Sequence, residues 1–245
     1  MEASSLFPRT KLVSSTSGAL LASWTGATSF TQCFSRSAYD VAGGAPSGRA
    51  AAFQNACNGK PLLFVVSFAN GRVLGGYLGS FARGDTTCAP PCSVPYCSYH
   101  TYGESDQLPF MFSLSNTEGA PFKMEAKTGL SLDKIHCVRG ETYAGQHQGP
   151  SIGYLDLYSY NADMEKTWCL ASSPKFECPN GWDKSACQLA LCGQASGSAL
   201  FDTTDVEVYQ LPLQEEAAMP PPSPPPPPLP LPSPSPTSFL PPSHS

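Results

Sequence analysis

Residues Leu62 to Phe68 are apolar at all but one position and lie between Pro61 and the dipeptide Asn70-Gly71. A near-continuous apolar run of that length, bounded by turn residues, predicts a strand covered on both faces. Asn-Gly readily takes the two positive φ angles of a type I′ turn, so the run is expected to fold back as a β-hairpin through Val73 and Leu74. Gly75-Gly76 falls inside the returning strand, where glycine marks a bulge or a second backbone too close to admit a Cβ.

Elsewhere the periodicity is weaker but of the same kind. Phe122, Met124 and Ala126 alternate with Lys123, Glu125 and Lys127, the pattern of a strand with one wet face. Phe110 to Leu114 and residues 134–138, 154–160 and 205–211 add further short strands, the last with Val206 and Val208 directed inward. Leu12, Leu20, Leu21 and Trp24 predict a short helix over residues 12–24, capped among Ser14 to Ser17. Ala50, Phe53 and Cys57 share one face of a second helix, residues 49–57, with Ser47 as its cap. Residues 28–39 form a weak extended segment carrying Phe30 and Phe34, followed by turn-rich sequence. Many strands, few helices and no βαβ rhythm give a fold class that is mostly β (α+β), a two-sheet antiparallel β-sandwich with a few peripheral short helices.

The organisation expected is a partly helical N-terminal segment over residues 1–24, one domain over residues 25–212 and a tail over residues 213–245. Pro220 to Pro242 holds more than half of the 26 prolines. Such a tract is disordered polyproline II, suited to SH3-like grooves or to a hydroxyproline-type stalk.

Taken in order, several of these stretches resemble the TLDc domain family. They are Phe53, Cys57-Asn58-Gly59, the apolar run, Asn70-Gly71, Gly75-Gly76-Tyr77, Phe110 to Leu114, Gly149-Pro150-Ser-Ile-Gly153, Asp156-Leu157 and Val206-Glu207-Val208-Tyr209. Gln54, Asn58, Phe81 and Ile152 stand where the family pattern has histidine, aspartate, tryptophan and phenylalanine. The resemblance implies two packed antiparallel sheets over residues 25–212 and a role without a settled catalytic mechanism. It also implies a link to resistance to oxidative stress and binding to the vacuolar proton-pumping ATPase. On that resemblance Gly75, Gly76, Tyr77, Gly149, Pro150 and Gly153 are motif residues, and Glu207 is a candidate for partner contact.

Charge narrows the partners. A net charge of −5 with only 13% charged residues leaves no basic stripe for nucleic acid or an anionic membrane surface. No apolar run approaches the roughly 20 residues of a membrane span. The patch Ala19 to Ala22 is shorter than the roughly 7 to 15 residues of a signal-peptide core, and Glu2 argues against a transit peptide.

Ten cysteines form an even number that would be a disulfide framework in a secreted protein. Yet the chain has no Asn-x-Ser/Thr acceptor and is long enough to need no staples, so most are expected as buried thiols in a reducing compartment. Cys88, Cys92, Cys97 and His100 combine soft sulfur ligands with an imidazole, the set that zinc takes; a local disulfide or free thiols fit the same spacing. Cys169, Cys178, Cys187 and Cys192 are spaced too widely for a zinc knuckle.

His136, His147, Glu141, Asp156 and Glu207 could act as acids or bases, but none lies in a catalytic elbow or metal motif, and no phosphate-cradling loop is present. The expectation is therefore a non-enzymatic protein-interaction module, cytoplasmic or intracellular, without a required cofactor. One alternative is a secreted or cell-wall, disulfide-stapled β-sandwich on a proline-rich stalk, binding carbohydrate through Tyr96, Tyr99 and Tyr102. Another is a hydrolase pairing Glu207 with a histidine.

Overall fold

The computed structural model describes residues 6–57, 61–77, 109–116, 119–126, 151–152, 157–160, 162–169, 176–179, 181–194 and 199–212. The chain divides into two units, Met1–Leu213 and Gln214–Ser245, the second lying outside the described residues. In chain order the elements are α1 (Ser15–Thr25), β1 (Thr31–Ser35), α2 (Arg36–Val41), α3 (Arg49–Ala56), β2 (Leu62–Phe68), β3 (Val73–Tyr77), β4 (Phe110–Ser115) and β5 (Phe122–Ala126). They continue with β6 (Ser151–Ile152), β7 (Leu157–Tyr160), β8 (Lys166–Cys169), β9 (Phe176–Glu177), α4 (Lys184–Cys192) and β10 (Ala199–Gln210). Every strand pairing is antiparallel, in the order β6-β7-β8-β10-β2-β3-β4-β5-β9 with β1 also on β10. The fold is mostly β, of the α+β class, as the periodicity predicts.

Its two halves are joined by one strand. The 12-residue β10 pairs with β8 through residues 199–202 and with β2 through residues 203–210. Where it passes from one half to the other, the ladder skips a residue between Thr203 and Asp205. A skip of this kind bends a strand and frees backbone groups, which then need other partners. They are supplied locally. Thr203 N–H donates to the Glu165 carbonyl at 2.8 Å, and Arg36 donates to the Thr203 carbonyl at 2.6 Å and to that of Met164 at 3.1 Å. The Thr167 and Thr203 hydroxyls are bonded at 2.7 Å, and those of Ser67 and Thr204 at 2.6 Å.

All seven residues of β2 are buried, which fits a strand with material on both sides. Leu62, Phe64, Val66 and Phe68 enter a core completed by Phe53 of α3, Leu157, Cys169 and Leu191 of α4. Leu63 and Val65 point the other way, into a core with Phe7, Val13, Leu21, Phe30, Phe110, Phe112 and Tyr209. The second core exists because the N-terminal segment lies across that face: Phe7 stacks on Phe30 at 4.0 Å and meets Tyr209 edge-on at 4.9 Å.

Several local expectations are corrected. The β2–β3 turn is not type I′. Gly71 N–H donates to the Phe68 carbonyl at 2.9 Å across Ala69 and Asn70, and of Asn70 and Gly71 only Gly71 has positive φ, at 81°. This is a three-residue loop closed by a left-handed glycine, which keeps Asn70 in an ordinary conformation while giving the same hairpin. Ser14 caps α1 as expected, but Ser47 does not cap α3; it lies in a 3₁₀ turn, Pro46–Gly48, that leads into the helix. The extended segment over residues 28–39 gives way at Arg36 to α2, whose start is held by Ser35 accepting from the Ala38 N–H. Residues 151–152 pair as a strand with β7. Residues 134–138 lie outside the described residues.

Candidate functional site

The glycine pair belongs to the core rather than to a sheet edge. Gly75 faces Val65 on one side and Phe112 on the other, and the β2–β3 register runs through it without a bulge. Neither Gly75 nor Gly76 has positive φ. A Cβ on Gly75 would press into the Phe64 carbonyl oxygen and come 2.5 Å from Phe112 Cζ, so close approach is the reason for glycine there. The space it leaves is taken by the Phe112 ring, with Trp24 of α1 above it at 6.2 Å. Tyr77, 6% exposed, stacks on Phe110 at 5.1 Å.

Glu207 is not a surface group. Its residue is 0% exposed, so the expectation that it meets a partner is overturned. The cause is the strap formed by the N-terminal segment. In β10, Val206 and Val208 face one core, while Glu207 and Tyr209 point to the other face, which the strap covers. Glu207 accepts from Thr10 Oγ1 at 2.8 Å, from the Lys11 backbone N–H at 2.7 Å and from Tyr209 Oη at 2.6 Å. These donors satisfy a buried carboxylate. Thr10 is held in place by accepting from the N–H groups of Leu12 and Val13 at 3.1 and 2.9 Å. Burial, followed by the Glu207 charge, pushes the Tyr209 phenol well above its ordinary pKa, so it remains a donor. The carboxylate thus tethers the strap.

The cysteines correct the largest chemical expectation. Most of the ten were expected as thiols, yet six form three disulfides, Cys33–Cys57, Cys169–Cys192 and Cys178–Cys187, with Cα separations of 5.3, 5.6 and 5.9 Å. The first ties β1 to the end of α3. The other two both hold α4, whose signals were present in the sequence: Asp183 caps it by accepting from the Ala186 N–H, and Gly193 closes it in the left-handed conformation at φ 84°. Arg72, 9% exposed, donates to the Ala190 carbonyl at 2.6 Å and so satisfies the last turn of this helix. Burial lowers its pKa, and this hydrogen bond lies at the favourable, negative end of α4.

Cys88, Cys92, Cys97, His100, Gly149, Pro150 and Gly153 lie outside the described residues, as do Tyr96, Tyr99, Tyr102, His136, Glu141, His147 and Asp156. Where the chain leaves for two of those segments is described. Tyr77 pairs with Phe110, and the Ala126 N–H donates to the Pro109 carbonyl at 3.1 Å. Tyr77 also pairs with Leu63, and the Leu211 N–H donates to the Pro61 carbonyl at 3.0 Å. Tyr77, Pro109, Ala126 and Leu211 therefore share one end of the sheet. No family model matches the chain, and a search of curated proteins finds no match. Among the described residues, no helix is long and apolar enough to cross a membrane.

Proposed function

We propose that this chain is a disulfide-stapled β-sandwich binding module of an oxidising compartment, a secreted or cell-wall setting, that meets its ligand at the sheet end marked by Tyr77, Pro109, Ala126 and Leu211. The reading is carried by the three cysteine pairs, since disulfides persist where the surroundings are oxidising and are rare in the cytosol. The described anchors support the choice of end: residues 78–108 leave and return there, residues 127–150 leave from there, and the chain passes Leu211 there on its way to the proline-rich sequence. Residues 78–108 bring Tyr96, Tyr99 and Tyr102, whose rings combine an apolar face with a hydroxyl and suit a carbohydrate ligand. The test is retention of the intact, unreduced chain on wall polysaccharide, beside the triple variant Tyr96→Ala, Tyr99→Ala, Tyr102→Ala. The parent is expected to be retained and the variant to lose retention by tenfold or more at an unchanged melting temperature. A parent that passes through unretained contradicts the reading.

A second reading is favoured by Gly75, because the glycine pair on which the TLDc resemblance rests stands where a Cβ has no room. On it the chain is a non-enzymatic TLDc-like interaction module, linked to resistance to oxidative stress, that binds vacuolar proton-ATPase subunits and offers its tail to an SH3-like partner. Capture of purified ATPase subunits by the fully reduced chain, and not by the oxidised one, would favour this reading over the first.

A further inference from the structure

The two disulfides of α4 are nested. Cys169–Cys192, with a sequence separation of 23, encloses Cys178–Cys187, with a separation of 9. Both outer cysteines and Cys187 are 0% exposed, whereas Cys178, next after β9, is only partly buried. An incoming thiol therefore reaches the inner bond from the Cys178 side. Opening that bond leaves α4 fastened by the outer one, by Arg72 on the Ala190 carbonyl and by the burial of Ala190 and Leu191. The buried sulfur also has a place once freed. Met124 Sδ lies 3.5 Å from Cys187 Sγ, an acceptor for a thiol in apolar surroundings that suit S–H and disfavour the thiolate.

We propose that Cys178–Cys187 is a thiol-exchange site for a small thiol of the glutathione class. The small thiolate attacks Cys178 Sγ and forms a mixed disulfide there. The Cys178–Cys187 bond breaks, and the Cys187 sulfur leaves with the electron pair and takes a proton to become the thiol beside Met124. A second small thiolate attacks the mixed disulfide at the small molecule's own sulfur, and Cys178 departs and is protonated. Overall, two small thiols are oxidised to their disulfide as one protein disulfide is reduced. Cys33–Cys57 is a poorer candidate, because no second staple encloses it and its separation of 24 makes its loss costlier to the fold. Trp182, four residues after Cys178, packs on Phe122 at 4.9 Å and reports on the opened segment.

The experiment uses the full chain purified without reductant, its free thiols blocked, then equilibrated against graded ratios of reduced to oxidised glutathione. A second alkylating agent and peptide mass mapping locate the thiols that appear. Cys178 and Cys187 are expected to be labelled, with the glutathione adduct on Cys178, at a ratio at least tenfold below that needed for Cys169, Cys192, Cys33 or Cys57. Trp182 emission should shift while far-UV circular dichroism stays unchanged. The double variant Cys178→Ser, Cys187→Ala should fold, keep the other two bonds and form no adduct within residues 176–194. An outer bond that opens at the same or a lower ratio, an adduct on Cys187, or a double variant that does not fold overturns the proposal. These results leave the binding-module reading standing, whereas all six cysteines appearing as thiols before any reduction would contradict both.

Discussion

Gly75→Val is expected to lower stability by about 4 kcal/mol or more, beyond the usual range for a single substitution, and to lower the melting temperature by on the order of 10 °C. The first atom of the new side chain would already overlap the Phe64 carbonyl, which belongs to the neighbouring strand's backbone and cannot swing aside. It would also displace the Phe112 ring at 2.5 Å, and with it the packing under Trp24. On an exposed regular strand the same change would stabilise, because valine favours extended backbone. A thermal melt decides between these signs. A variant that melts at or above the parent temperature would show that β2 and β3 do not approach at Gly75 as described. Of the glycine pair, the close approach is shown at Gly75, whose Cβ would turn toward the strap-covered core.

Val66→Asp is expected to cost roughly 4 kcal/mol or more and to leave little folded protein at 37 °C. Val66 is 0% exposed and stands between Val206 of β10 and Leu74 of β3. Its side chain enters the core shared with Phe53, Leu157 and Leu191, where a carboxylate finds neither water nor a polar partner. Loss of the cooperative melt by circular dichroism, with dye binding to exposed apolar surface at room temperature, is the expected outcome. A cooperative melt within 5 °C or so of the parent would remove β2 from the centre of the fold.

The centre of the fold was legible because its signal is local. Seven successive residues with one polar member cannot have a wet face, and β2 is buried throughout. The strand Phe122–Ala126 was legible for the complementary reason, since Lys123 and Glu125 mark its wetter face. Glu207 was misread because the resemblance offered it for partner contact, and the inward Val206 and Val208 say nothing of what covers the opposite face of β10. The strap that covers that face comes from residues 6–30, and no pattern in residues 205–211 records it. The α4 helix was hidden within a cysteine-rich stretch by its small buried residues, Cys187, Ala190 and Cys192, although Asp183 and Gly193 bracketed it with cap signals. Cysteine pairing is a property of where chain segments meet. The spacing of Cys33 and Cys57 says nothing of β1 lying beside the end of α3, so the even count was the only trace of the bonds in the sequence.

The most direct test of the account is a disulfide map of the chain from its native source, with thiols blocked at the moment of lysis and peptides separated without reduction. The account predicts three linked peptide pairs, Cys33 with Cys57, Cys169 with Cys192 and Cys178 with Cys187. Those six cysteines recovered as blocked thiols, or joined in any other pairing, would contradict it.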